Sequence, residues 1–238
     1  MWRDFYLSDL QSVWAPTLVP LAYLAWRARR GGAASAAGSA RWFVDRYAIV
    51  FACETVLDVL ATTPLVKALD LAGTPVGTAI LVFFVLFGDF RVYLLVFALL
   101  ALSAGRGWRS ALPRAAGWTL VVPLIALPVS AALRAALPGL DPNTIWLVYE
   151  LTFLIVALTL RARVTAAAPA PLRDFLGALL AYVALYYALW ALSDVLIQLA
   201  GVDAGWLLRA VPNQLYYAWW IPFVVWRFGV AQRRAPVK

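Results

Sequence analysis

Histidine is absent from this 238-residue chain, and Cys53 is its only cysteine. Haem or zinc held through histidine, and Ser/His catalysis, need a side chain that this sequence does not contain. One cysteine also excludes an intrachain disulfide. Charged residues are scarce, at 13%, which excludes an ordinary soluble domain. We therefore expect no metal site and no cofactor.

Apolar residues, by contrast, make up 64% of the chain. A hydrocarbon layer about 30 Å thick is crossed by roughly 20 apolar residues of helix, and windows of that length recur with short polar joints between them. The sequence predicts an all-α, multi-pass protein of the plasma (cytoplasmic) membrane, with residues 1–238 forming a single transmembrane domain. The seven predicted spans are 9–28, 42–65, 75–103, 115–137, 143–161, 175–200 and 204–228.

The distribution of basic residues predicts the orientation of these spans. Fifteen of the 20 basic residues fall in alternate joints and after the last span. Because basic loops stay on the cytoplasmic side, this pattern places the N-terminus outside and the C-terminus, including Lys238, in the cytoplasm. The net charge of +8 therefore indicates a protein whose partner is the lipid bilayer, and we expect no nucleic-acid partner. The basic residues on the opposite side are Arg3, Lys67, Arg134 and Arg209.

The first three and the last three spans carry similar patterns. Asp58 of "LDVLAT" matches Asp194 of "SDVLIQ", and Asp89 matches Asn213. This predicts repeat halves 9–103 and 143–228 joined by a linker helix at 115–137, in a 3+1+3 arrangement with a shared site between the halves. The alternative is that membrane helices, which draw on few residue types, align without any repeat.

Ionisable side chains inside the predicted spans are the strongest functional signal. Each costs about 2.5–3.5 kcal/mol near the middle of a membrane, so these side chains should face one another or water. Their depths, estimated from the helical rise of about 1.5 Å per residue, place them in one layer between the middle and the outer side. The alternative is that they are interhelical hydrogen-bonding groups. The predicted ligand- or ion-binding residues are Glu54, Asp58, Asp89, Arg91, Glu150, Asp194, Asn213 and Gln214.

Acidic residues outnumber basic ones in this layer, where Arg91 faces five carboxylates. Protons or a cationic ligand must therefore supply the missing positive charge. Further acids on the predicted outer side give the mouth of the layer a negative potential that attracts cations. These further acids are Asp4, Asp9, Asp70, Asp141 and Asp203.

Aromatic residues are concentrated in the last two spans. Tyr186 and Trp190 lie four residues apart on one helical face, and Tyr216 and Tyr217 follow in the seventh span. Such rings can line a pocket for an apolar ligand, including a bound lipid or isoprenoid. The alternative is ordinary helix packing.

Two resemblances carry further expectations. The run "DVLATTPL", from Asp58 to Leu65, resembles the Asp-x-x-x-Thr-Thr-Pro-Leu run in the third helix of microbial rhodopsins, which hold retinal on a seventh-helix lysine. The seventh span here has no lysine, which argues against covalent retinal. The seven-helix 3+1+3 layout also resembles the SWEET and PQ-loop transporters, although no Pro-Gln motif is present.

The leading hypothesis is a transporter of a small solute or cation, coupled to protons through the buried carboxylates, which makes an enzyme the less favoured class. One alternative is a lipid-phase enzyme in which a carboxylic acid protonates a polyprenyl or carotenoid double bond. Another is a seven-helix sensor or accessory subunit of a membrane complex. The sequence leaves a homo-oligomer open.

Overall fold

The structure, a computed structural model, describes residues 1–30 and 36–234, so Lys238 of the predicted cytoplasmic tail lies outside the described residues. The described residues are mostly helical and contain no strand, which confirms the all-α class. Their α-helices are α1 (Trp2–Leu7), α2 (Ala15–Arg30), α3 (Ala40–Leu60), α4 (Val66–Ala68), α5 (Pro75–Ser103), α6 (Leu112–Ala136), α7 (Thr144–Ala167), α8 (Ala170–Asp194), α9 (Ala204–Tyr216) and α10 (Trp220–Arg234).

Five helical segments of the described chain are long and apolar enough to cross a membrane. They agree in position with the second to sixth predicted spans. Their surfaces carry large apolar side chains, such as Leu124 of α6, which is 70% exposed. Because water penalises such exposure, the structure supports a membrane-embedded protein. The five segments are Ala40–Ala68, Pro75–Ser103, Trp108–Ala136, Thr144–Val164 and Leu172–Leu199.

The first and last predicted spans are not among these five segments. The first comprises a π-helical turn, Leu10–Trp14, followed by the 16-residue α2. The last is divided between α9 and α10, with a break at residues 217–219. Pro222 lies in the first turn of α10, where a missing backbone N–H is tolerated, so a helix begins there more easily than it continues through. Seven spans therefore remain a prediction.

π-helical turns directly follow two of the acidic helices. Residues Ala61–Leu65 form one such turn after α3, and Val195–Leu199 form another after α8. In the first turn, Pro64 has no backbone N–H to donate, which favours a local departure from the α-helical ladder. Asp58 and Asp194 thus lie at or near the ends of α3 and α8, where α-helical hydrogen bonding changes to π-helical hydrogen bonding.

The chain divides into two compact units. The first, called here the 8–119 unit, comprises Ser8–Thr119 and Tyr217–Gly229; in it α3 packs against α2 and α5. The second, called the 120–216 unit, comprises Met1–Leu7 and Leu120–Tyr216 with the described residues after Gly229. In it α8 packs against α7 and α9, and α1 packs against α9. The predicted repeat halves have different boundaries and remain a prediction.

Each unit contains a glycine at a close approach of two segments. A Cβ at Gly77 would lie 2.1 Å from the carbonyl oxygen of Leu71. A Cβ at Gly205 would lie 2.7 Å from Cγ1 of Ile197 and 3.1 Å from the carbonyl oxygen of Ser193. Because glycine has no Cβ, the start of α9 can approach the end of α8 closely.

Candidate functional site

The 120–216 unit contains a cavity of about 410 Å³. This volume falls within the range of about 300–1,000 Å³ that small-molecule sites occupy. Its lining combines two arginines, two aspartates and three aromatic rings, contributed by α1, α7, α8, α9 and the residues that precede α7. The cavity is therefore polar and charged, with aromatic surface between the charges.

One wall of this cavity contains an arginine that pairs with two carboxylates. Arg209 of α9 forms an ion pair with Asp194 of α8, and its Nη2 lies 3.5 Å from Oε1 of Glu150 in α7. Gln198, in the π-helical turn, donates from Nε2 to Oδ2 of Asp194 at 3.0 Å. The Arg209 side chain remains 18% exposed. Three helices thus share one charge network at the edge of an open space.

The spacing along α9 explains why this arginine reaches α8. Gly205, Arg209 and Asn213 are four residues apart, so they lie on one face of the helix. Gly205 provides the close approach to α8, and Arg209 follows one turn later, level with Asp194. Asn213 continues the same face toward Trp190, whose indole N–H donates to the Asn213 side-chain oxygen at 2.9 Å.

Helix α1 contributes Arg3 and Tyr6 to the lining of the cavity. Nδ2 of Asn213 donates to the Tyr6 hydroxyl at 3.0 Å, and the Tyr6 ring packs against Trp206 with centroids 5.4 Å apart. Through Tyr6, the N-terminal segment is joined to the same face of α9 that carries Arg209. One hydrogen bond and one ring contact thus hold Tyr6 against α9.

Asp203 also holds the N-terminal segment beside α9. The Trp2 backbone N–H donates to Oδ2 of this exposed carboxylate at 3.0 Å. That hydrogen bond lowers the pKa of Asp203 below its usual value, because it favours the charged form. The contact keeps Arg3 and Tyr6 at the cavity wall.

Two further charges line the cavity. The Arg3 guanidinium lies over the Trp206 ring, 5.8 Å from its centroid, and has no carboxylate partner in the part of the chain that the structure describes. Asp141 accepts a hydrogen bond from the Asn143 backbone N–H at 2.7 Å, and no basic side chain of residues 1–30 and 36–234 pairs with it. One positive and one negative group are thus available to a ligand.

Several buried polar atoms beside this site have no hydrogen-bond partner among the described residues. They are Oε2 of Glu150, Oε1 of Gln198 and Oγ1 of Thr144. Buried polar atoms are rarely left in this state without water, an ion or a ligand. Glu150 is only 5% exposed, so leaving its Oε2 atom without a hydrogen bond costs the most free energy of the three.

A second charge cluster lies in the 8–119 unit and is more deeply buried. Arg91 of α5 is fully buried, and its Nη1 lies 3.7 Å from Oε2 of Glu54 in α3. The same guanidinium nitrogen donates to Oγ1 of Thr55 at 3.4 Å. Asp58, one turn further along α3, is also buried. The predicted i, i+4 pair of acids on α3 therefore lies on the buried face, with Glu54 paired to Arg91.

Aromatic groups enclose Arg91. Its guanidinium carbon lies 5.1 Å from the centroid of the Trp220 ring. The Trp220 indole N–H donates to the Tyr47 hydroxyl at 3.1 Å, and that hydroxyl donates to the Arg91 backbone carbonyl at 3.0 Å. This chain ties α3, α5 and α10 together around one buried cation.

The carboxylate of Asp58 is held by two hydroxyl groups. Thr62, in the π-helical turn, donates to Oδ1 at 3.3 Å and to the Asp58 backbone carbonyl at 2.7 Å. The Tyr217 hydroxyl also donates to Asp58. Tyr217, one of the predicted pocket-lining rings, thus contacts a carboxylate.

The remaining predicted site residues occupy separate positions. Asp89 is buried on α5 and lies near Tyr93, one turn away on the same helix. Gln214 is half-buried on α9 and does not line the cavity. The structure thus places Glu54, Asp58, Asp89 and Arg91 in the 8–119 unit, and Glu150, Asp194, Asn213 and Gln214 in the 120–216 unit.

The predicted aromatic stripe is closely packed. Tyr186 is fully buried and lies 5.5 Å from Trp190 and 5.6 Å from Tyr216, centroid to centroid. Tyr187 stacks on Phe153 at 4.1 Å. None of these rings is among the residues that line the cavity. Their main contacts are with one another, between α7, α8 and α9.

Sequence reasoning missed the arginines of the cavity. Arg209 was assigned to the outer-side basic residues, and Arg3 to the N-terminus. A usable signal was present for Arg209, which precedes Asn213 by one helical turn and follows Gly205 by another. For Arg3, Tyr6 and Trp206 no local pattern exists, because their contact joins the two ends of the chain.

Comparisons of this chain with models of protein families, with curated proteins and with solved structures found no match. Within the described residues, no group of three His, Cys, Asp or Glu side chains is placed to hold a metal ion.

Proposed function

We propose that the protein is a membrane transporter of a small polar solute, coupled to protons, with its solute site in the cavity of the 120–216 unit. The observation that carries this proposal is the arginine of the cavity wall, Arg209, which is shared between Glu150 and Asp194 beside an open space of about 410 Å³. An ion pair that is partly exposed to water contributes little to stability, so stability alone does not account for this network beside an open space.

The proposed topology supports access to this cavity from outside. Seven spans with the N-terminus outside and the C-terminus in the cytoplasm put the 138–143 and 200–203 segments on the outer side of a cytoplasmic membrane. Asp141 and Asp194 then lie at or near the outer mouth. A solute could reach Arg209 from that side without crossing hydrocarbon.

The cluster of the 8–119 unit supports proton coupling. Glu54 and Asp58 lie beside one guanidinium, Arg91, and all three side chains are buried. Two carboxylates and one cation leave one negative charge in excess, and a proton is the smallest species that balances it. Binding and release of that proton change the charge that Arg91 must compensate.

The π-helical turns provide places where such a charge change can be passed to the backbone. Asp58 contacts Thr62 and Asp194 contacts Gln198, and in both cases the second residue lies within the turn. π-helical turns occur often at functional sites, where a helix can shift its hydrogen-bond pattern by one residue. Both carboxylates are thus joined to a segment that can change.

The lipid-phase enzyme is the weaker alternative. It requires an apolar chamber lined by aromatic rings, whereas the rings of α8 and α9 pack on one another. The cavity that the 120–216 unit does contain is lined by charges, which suit a polar solute.

Transport assays in proteoliposomes test the proposal. Vesicles loaded with the pH indicator pyranine are supplied externally with L-phenylalanine, L-alanine, choline, lactate or glucose. At least one solute should acidify the lumen, and Asp58→Asn and Asp194→Asn should each abolish that signal. Asp174→Asn, an exposed acid on α8, is the matched control and should transport normally. Absence of solute-driven acidification with every solute, or normal transport by both site variants, would refute the proposal.

A further inference from the structure

The charged groups that line the cavity are of two kinds, those within an ion pair and those outside one. Arg209 is already paired with both Asp194 and Glu150. Arg3 and Asp141 line the same cavity without an ion-pair partner from the described chain. A ligand that enters therefore meets one guanidinium and one carboxylate that form no ion pair within the described residues.

This pairing discriminates between classes of solute. An anion would gain from Arg3 but would face Asp141, Asp194 and, behind them, Glu150. A simple cation would gain from Asp141 but would face the guanidiniums of Arg3 and Arg209. A molecule that carries one charge of each sign can satisfy both free groups and adds no net charge to the site.

We propose, building on the transport function above, that this cavity binds a small zwitterion of the amino-acid or betaine type. Its carboxylate is held by Arg3, and its ammonium group is held by Asp141, within a volume of about 410 Å³. Trp146, Trp206 and Tyr6 supply the surface between the two charges and accommodate an apolar side chain or the methyl groups of a betaine.

Arg3 and Asp141 lie on separate segments of the chain. Arg3 is carried by the six-residue α1, which is held through Tyr6 and the Trp2 backbone N–H. Asp141 precedes α7 and is fixed by the Asn143 backbone N–H. The carboxylate-binding and ammonium-binding groups thus come from separate segments of the 120–216 unit, so each can be changed by itself.

Binding measurements with matched solutes test this assignment on the purified full-length protein. L-phenylalanine is compared with phenethylamine, which lacks the carboxylate, and with 3-phenylpropanoate, which lacks the ammonium group. L-alanine, ethylamine and propanoate form the same comparison at a smaller size. In at least one set the zwitterion should bind at least tenfold more tightly than either single-charge analogue.

Substitutions at the two free charges should then divide this preference. Arg3→Gln should weaken binding of the zwitterion by about tenfold, the effect of losing a hydrogen bond to a charged group, and leave binding of the amine unchanged. Asp141→Asn should also weaken binding of the zwitterion by about tenfold, and it should leave binding of the acid that lacks the ammonium group unchanged. Arg134→Gln and Asp174→Asn, exposed charges of the same unit outside the cavity, are the controls.

The outcomes separate this inference from the transport proposal. An amine or an acid that binds as tightly as its zwitterion, no binding by any zwitterion tested, or unchanged affinities in Arg3→Gln and Asp141→Asn would overturn the zwitterion assignment. If solute-driven acidification with choline, lactate or glucose is still seen, the transport proposal stands without it.

Discussion

The two charge clusters use the same chemistry in different surroundings. In each, an arginine pairs with an acid of an earlier helix in the same unit, and an aspartate nearby contacts a polar side chain four residues later in a π-helical turn. Arg91 is 0% exposed and is enclosed by Trp220, whereas Arg209 is 18% exposed at the edge of a cavity.

This difference separates two roles for similar residues. A fully buried pair responds strongly to any change of charge, because removing one partner leaves the other charge uncompensated. A pair beside an open cavity can exchange partners with water or with a ligand. The first arrangement suits a proton-linked element and the second a solute site, and the following predictions test that division.

The largest effect is expected from removing each arginine in turn. Arg91→Met leaves Glu54 buried without its cation, and we expect a loss of about 3–5 kcal/mol in the free energy of unfolding. Arg209→Met leaves Asp194 and the buried Glu150 without their shared cation, but water can enter where the Arg209 side chain is 18% exposed, so a smaller loss of about 1–3 kcal/mol is expected. Unfolding of the purified variants, followed by intrinsic fluorescence, measures both.

A double variant shows whether charge is the cause of the first effect. Glu54→Gln in the Arg91→Met background removes the uncompensated carboxylate and should recover at least half of the lost stability. An equally large loss in the double variant would mean that Arg91 acts through packing against Trp220 and not through Glu54.

The two glycines extend the comparison to the backbone. Gly77→Ala places a methyl group 2.1 Å from the Leu71 carbonyl oxygen, which is backbone and cannot move aside easily. Gly205→Ala meets Cγ1 of Ile197 first, at 2.7 Å, and this side chain can rotate. We expect destabilisation of about 1–3 kcal/mol for Gly77→Ala and a smaller value for Gly205→Ala.

The Gly205 variant has a second readout. A displaced α9 would move Arg209 away from Asp194, so solute binding should weaken even where stability is nearly unchanged. Normal binding by Gly205→Ala, together with wild-type stability, would show that the close approach does not position the arginine.

The sequence predicted most of the helices and the acids they carry. Hydropathy alone located the five helical segments that are long and apolar enough to cross a membrane, because a run of apolar residues of that length has few alternatives. It also placed Glu54 and Asp58 on one helical face, since a spacing of four residues fixes that relation. Both predictions depend on local geometry only.

The partners of those acids could not be predicted in the same way. Arg209 pairs with Asp194 and Glu150 across three helices, and Arg3 reaches the Trp206 ring from the other end of the chain. Such contacts depend on how helices are packed, which a single sequence does not specify. The same reason explains why the contact between Tyr217 and Asp58 could not be predicted.

Indole hydrogen bonds give a smaller effect in both units. Trp220→Phe removes the donor to the Tyr47 hydroxyl and weakens the surface over Arg91, whereas Trp190→Phe removes the donor to Asn213 and shrinks a ring that packs on other aromatic rings. We expect about 1–2 kcal/mol for the first variant and about 0.5–1 kcal/mol for the second. Chemical denaturation of the two purified variants measures the difference, and equal losses would contradict a distinction between the fully buried Trp220 and the partly exposed Trp190.

The smallest effect concerns the tether of the N-terminal segment. The hydrogen bond from the Trp2 backbone N–H lowers the pKa of Asp203, so the contact is fully present above the usual aspartate pKa of about 3.9 and is lost as the pH falls through the lowered value. A spin label at Phe5→Cys in a Cys53→Ser background should be equally immobile from pH 7 to pH 5 and gain mobility only in stronger acid. Asp203→Asn keeps an acceptor but loses the charge, so the label should be more mobile at pH 7 and respond less to acid. Mobility that instead changes between pH 7 and pH 5 would show that a group other than Asp203 holds Arg3 and Tyr6 at the cavity.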